Sequence, residues 1–106
     1  MQINRRLNGR VERRLPIMVG VRLSRGADLP AGAELAYTDN VSLHGARVVS
    51  SIAWQPGEYA NIEPLKDGSP MRGQVVYCQS LGDSFFVGFK FQEPLTWSPF
   101  VRYQPA

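Results

Sequence analysis

The sequence predicts an all-β fold, an antiparallel barrel or sandwich of six short strands. Six apolar or aromatic segments follow one another at spacings of about 8 to 14 residues, as in small barrels and sandwiches. Turn-forming residues separate them, including Pro56-Gly57, Lys66-Asp67-Gly68-Ser69-Pro70 and Ser80-Leu81-Gly82-Asp83. The chain has 106 residues, 43% of them hydrophobic, which suits one domain with a real core. Closure into a barrel would also remove the exposed edges that short strands otherwise leave.

Taken in order, residues 1–14 read as a flexible, arginine-rich arm, with Asn8-Gly9 as a break. The strand region spans residues 15–94. Leu15 to Leu23 is the first expected strand, with Pro16 acceptable at an edge. Ser24 to Gly32 reads as a loop. Ala33 to Thr38 starts the second strand on the alternation of Ala33, Leu35 and Tyr37. The polar stretch Asn40 to Gly45 follows as a turn, and then a third strand from Ala46 to Ser50. Tyr59 to Glu63, Met71 to Gln79 and Ser84 to Phe91 complete the six. Tyr77, Phe85, Phe86, Phe89 and Phe91 have strand spacing and are expected in the core. Residues 95–106 form a short tail in which Pro99 opposes a long helix.

Charge is unevenly placed. Residues 1–25 carry seven arginines against one acid, Glu12, whereas residues 26–106 carry five basic and eight acidic side chains. Ten of the twelve basic residues are arginine. The guanidinium is a flat donor fork that fits phosphate and guanine edges and stacks on rings, which an ammonium does not. No stretch approaches the roughly 18 apolar residues of a membrane span. Leu15 to Val21 is too short and interrupted for a secretory signal, so a cytoplasmic protein without membrane insertion is expected.

Catalytic chemistry has little to stand on. Cys78 is the single cysteine and His44 the single histidine, too few for a structural zinc site, and His44 fits a surface turn. Asp39, Glu63, Asp67 and Asp83 fall at or near turns, and no paired carboxylates or metal-ligand spacing emerge. The expectation is a protein that is not an enzyme and has neither metal nor cofactor.

Two stretches remain. Arg10-Val11-Glu12-Arg13-Arg14 puts two arginines four residues apart. Composition alone favours a solvated basic tail, but on an extended arm Arg10 and Arg14 can reach round both sides of a phosphodiester. Asn40-Val41-Ser42-Leu43-His44-Gly45 is by itself an ordinary polar β connection. Asn40-Val41-Ser42 also matches the N-glycosylation pattern, which lacks force without a secretory signal.

Together, the R-x-x-x-R element with Pro16 after it and the N-x-S-x-x-G element followed by Ala46 resemble the PilZ domain family, over about residues 5–93. Phe86-Val87-Gly88-Phe89-Lys90-Phe91 is similar to the family's last barrel strand. The resemblance implies a six-stranded antiparallel β-barrel of split-barrel type that binds the bacterial second messenger cyclic di-GMP as a receptor. It assigns ligand binding to Arg10, Arg14, Asn40, Ser42 and Gly45, with Arg13 and Arg47 as nearby candidates. Gly45 would make room for a base. Arg14 and Ser42 are both expected outside the core. Signalling would run through ordering of the arm, which changes a surface read by a separate effector protein. The competing reading is a PilZ-like protein-interaction module that binds no nucleotide. A barrel for single-stranded nucleic acid would need basic and aromatic residues spread over a strand face, and the body of this chain is net acidic, so no nucleic-acid polymer is expected.

Overall fold

The computed structural model describes residues 14–25, 33–66 and 68–97. Arg10, Arg13 and the rest of residues 1–13, like tail residues 98–106, lie outside the described residues. The strands are β1 (Gly20–Arg25), β2 (Glu34–Ser42), β3 (Gly45–Ser50), β4 (Tyr59–Pro64), β5 (Met71–Leu81) and β6 (Ser84–Phe91). All pair antiparallel in the order β1-β2-β3-β6-β5-β4, and β1 returns to β4 to close a barrel. Each backbone ladder therefore has a partner on both sides, and no strand is left as an edge.

Alternation along the strands fills the interior. Val21 and Leu23 of β1, Ala46 and Val48 of β3, Ala60 and Ile62 of β4, and Val87 and Phe89 of β6 point inward and are buried. Each fully buried aliphatic side chain contributes about 1.5–3 kcal/mol of transfer free energy. Two tryptophans join this core. Trp54 meets Phe89 edge-on at 5.7 Å, and its Nε1 donates to Ser50 Oγ at 3.2 Å. Trp97 sits 6.2 Å from Phe91, with Nε1 donating to the Ser69 carbonyl at 2.9 Å.

β1 runs on to Arg25, into the expected loop, and of the remaining differences from expectation three matter for the site. Residues 15–19 are not continuous strand. Leu15 exchanges backbone hydrogen bonds with Val41, at 2.9 and 3.0 Å. The chain then departs from the ladder, and the buried Thr38 hydroxyl fills the gap. It accepts from the Val19 amide at 2.9 Å and donates to the Ile17 carbonyl at 2.7 Å. Proline at 16 has no N–H to pair, and so costs this segment no donor.

The second difference is that β2 runs to Ser42 and takes in half of the stretch expected as a turn. The cause is a β-bulge between Thr38 and Asn40. Asp39 is the extra residue, and its insertion resets the inside–outside alternation, so that Val41 rather than Asn40 enters the core. Only Leu43 and His44 form the turn. The third difference is a bulge between Val75 and Tyr77 in β5, which runs on to Leu81. It turns Tyr77 outward. Of the five aromatics expected in the core, Phe89 and Phe91 are buried and Phe85 packs partly against the core. Tyr77 and Phe86 face outside the barrel.

Candidate functional site

Strand register lines up four residues across the outer face of the barrel. Asn40 of β2 is opposite Arg47 of β3, Arg47 is opposite Gly88 of β6, and Gly88 is opposite Tyr77 of β5. A bulge sets each end of this row: one turns Asn40 out and the other turns Tyr77 out. Gly88 has a steric reason to lack a side chain, since a Cβ there would lie 2.2 Å from the Tyr77 ring. The ring lies over the glycine and covers it.

At the β2 end the row meets the start of the described chain. The antiparallel bridge between Leu15 and Val41 sets residue 14 across from Ser42, and from there the Arg14 side chain reaches along β2, its Nη1 donating to Asn40 Oδ1 at 3.1 Å. The two stretches singled out in the sequence thus touch, 26 residues apart in the chain. Both groups are solvent-accessible, so the bond itself adds little stability. Its value is positional, because a guanidinium and an amide are presented together on one face.

Arg47 is held from several directions. Its Nε donates to Asp39 Oδ2 at 2.7 Å, and its Nη2 pairs with the same oxygen. Its guanidinium carbon stands 4.1 Å from the centroid of the Phe86 ring. The hydrogen bond to the Asp39 carboxylate raises the arginine above its already high ordinary pKa, with a smaller contribution from the Tyr77 hydroxyl, and outweighs the opposing effect of burial. Arg47 is therefore a permanent cation with its charge largely compensated.

The other motif residues serve the hairpin. Ser42 is only 1% exposed, contrary to the expectation that it lies outside the core, and its hydroxyl donates to the Gly45 carbonyl at 3.3 Å. A Cβ on Gly45 would stand 2.6 Å from the Phe89 carbonyl oxygen of β6. Close backbone approach between β3 and β6 thus requires glycine here whether or not a ligand is bound. His44 occupies the turn, and its carbonyl accepts from the Phe91 amide at 2.8 Å.

Among the described residues, then, Arg14, Asn40, Ser42, Gly45 and Arg47 come together around one hairpin. Sequence reading missed Asp39, Phe86, Gly88 and Tyr77 as parts of this face. Asp39 had a visible signal, an acid next to the motif asparagine and eight residues before an arginine. The bulges that aim Tyr77 and Asn40 had none. No group of three or more His, Cys, Asp or Glu side chains among the described residues could hold a metal ion. No helix of the described residues is long and apolar enough to cross a membrane.

The closed barrel presents an arginine and a polar hairpin together on its outer face. The PilZ domain family model matches residues 4–96, and the chain belongs to that family. PilZ domains are in general cyclic di-GMP-binding effector modules rather than enzymes. No curated protein matches the chain.

Proposed function

We propose that this protein is a non-catalytic receptor for cyclic di-GMP in the cytoplasm, with Arg10, Arg14, Asn40, Ser42 and Gly45 as its ligand-binding set and Arg13 and Arg47 adding contacts. The observation that carries the reading is the Arg14–Asn40 hydrogen bond, which brings the end of the R-x-x-x-R element onto the N-x-S-x-x-G hairpin. Arginine forks grip phosphates and guanine O6 and N7 through charge-assisted hydrogen bonds. Asn40 meets a guanine edge with both a donor and an acceptor. Ser42 and Gly45 belong to the set through the hairpin they hold, which shapes the surface under the ligand and presents Asn40.

Ligand binding draws residues 1–14 across this face. Fixing them costs roughly 1–2 kcal/mol of backbone entropy per residue, offset by contacts to charged groups worth about 1.5–3 kcal/mol each. The rearranged surface is what a separate effector protein reads. Met18, Leu35 and Leu65, large apolar side chains exposed on the described surface, offer such a partner apolar contact.

Calorimetric titration with cyclic di-GMP, GTP and a short oligonucleotide tests the reading. Saturable heat is expected for cyclic di-GMP alone, and no saturation at micromolar ligand overturns it. Arg14→Ala should weaken binding about tenfold or more, the equivalent of one charge-assisted contact, with an unchanged thermal melt. Retained affinity in that variant removes Arg14 from the site.

A further inference from the structure

Two arginines on one face have different electrostatic surroundings. Arg14 donates to a neutral amide oxygen and, among the described residues, pairs with no carboxylate. Arg47 has Nε and Nη2 on a single carboxylate oxygen of Asp39, and one face of its guanidinium on the Phe86 ring. The Arg47 side chain is 32% exposed and that of Asp39 27%. With one edge taken by Asp39, one face by Phe86 and the Tyr77 hydroxyl as a further partner, the face opposite Phe86 is the part of Arg47 left for a ligand.

We propose that Asp39 is a specificity-determining residue: its pairing makes Arg47 a fixed plane that receives a guanine base by stacking, and leaves the phosphates to Arg14. The assignment rests on the nucleotide reading above and deepens it. A phosphate approaching the Nε edge of Arg47 meets the Asp39 carboxylate and is repelled. A base carries no net charge and meets no such barrier, while a guanidinium plane stacks well on a ring. Phe86, Arg47 and the base then form three layers. Asn40 stands directly beside Arg47 in the ladder, so its amide can meet the edge of the base lying on that plane. The bulge is essential to this arrangement. It inserts Asp39 without giving it a partner in the ladder, which sets its carboxylate against the guanidinium on the next strand.

The test compares cyclic di-GMP with inorganic pyrophosphate, which offers phosphates without a base, over a range of salt concentrations. Wild-type protein should bind cyclic di-GMP and ignore pyrophosphate. Asp39→Asn keeps a hydrogen-bond acceptor but removes the charge. It should lower the preference for cyclic di-GMP over pyrophosphate by about tenfold and steepen the salt dependence, because a second uncompensated cation enters the site. Asp39→Glu should restore both. A role in folding alone would not change the salt slope. Should Asp39→Asn fail to fold, Phe86→Leu is read instead, with about a tenfold loss of cyclic di-GMP affinity expected and an unchanged affinity overturning the stacked plane. If wild-type protein binds no cyclic di-GMP, the nucleotide reading fails and this assignment with it. If wild-type binds and Asp39→Asn keeps the same preference and salt slope, the role of Asp39 alone is overturned.

Discussion

At the residue scale, one motif divides into parts with different tasks. Asn40 faces the solvent and meets Arg14, whereas Ser42 is buried and Gly45 is pressed against the Phe89 carbonyl of β6. A glycine within a binding motif is naturally read as room for a ligand. Here the crowding is internal, and a side chain would strike backbone, which cannot rotate away. Gly45→Ala should therefore destabilise the barrel by about 1–3 kcal/mol, the usual cost of overpacking. Chemical denaturation without any ligand checks this. A variant as stable as wild type would mean that the glycine serves the ligand alone.

Thr38 decides how the arm joins the barrel at the scale of the element. The Thr38 amide donates to the Val19 carbonyl, and its hydroxyl completes the connection by accepting from the Val19 amide and donating to the Ile17 carbonyl. Through this clamp and the Leu15–Val41 bridge, the chain next to Arg14 is fixed against β2, within side-chain reach of Asn40. Thr38→Val keeps the shape but leaves the half-buried Val19 amide and Ile17 carbonyl without this partner, at about 1–3 kcal/mol in total. Hydrogen exchange should then quicken at Val19, with β5 and β6 little changed. Exchange that rises evenly over the whole barrel would argue against a local clamp. The prediction also reaches binding, since a loosened residue 14 no longer holds Arg14 over Asn40.

For the whole molecule, closure determines both stability and the place of the site. A closed barrel fills its interior with side chains, so binding is left to the outer face and to the segments that cross it. Leu95 and Trp97 show how much the core relies on chain beyond the last strand. Both are buried, and the Leu95 amide donates to the Leu43 carbonyl within the hairpin turn at 2.8 Å. Trp97→Ala should cost about 3–5 kcal/mol, as for other buried tryptophans, and lower the thermal midpoint accordingly. A midpoint within a degree or two of wild type would place Trp97 outside the cooperative unit. The Leu95–Leu43 bond also couples the tail to the hairpin carrying Asn40, so this variant reports on both.

The sequence by itself determined the number of strands, their approximate places and the two polar stretches, because turn chemistry and period-two alternation are local properties of the chain. The sixth strand, Ser84–Phe91, was legible to the residue. It is a dense apolar and aromatic run with no bulge against β3, and a Gly82 turn with φ of 59° introduces it. Tertiary structure decided what local pattern cannot encode. Bulges at Asp39 and Val76 are defined against a neighbouring strand, and each reverses the facing of every residue after it. Asn40 was for that reason read as part of a turn and Tyr77 as core. In the sequence Asp39 is one of several acids at or near turns. Only the pairing of β2 with β3 puts its carboxylate on Arg47, because a contact between strands depends on register, and register is fixed by the closed barrel as a whole.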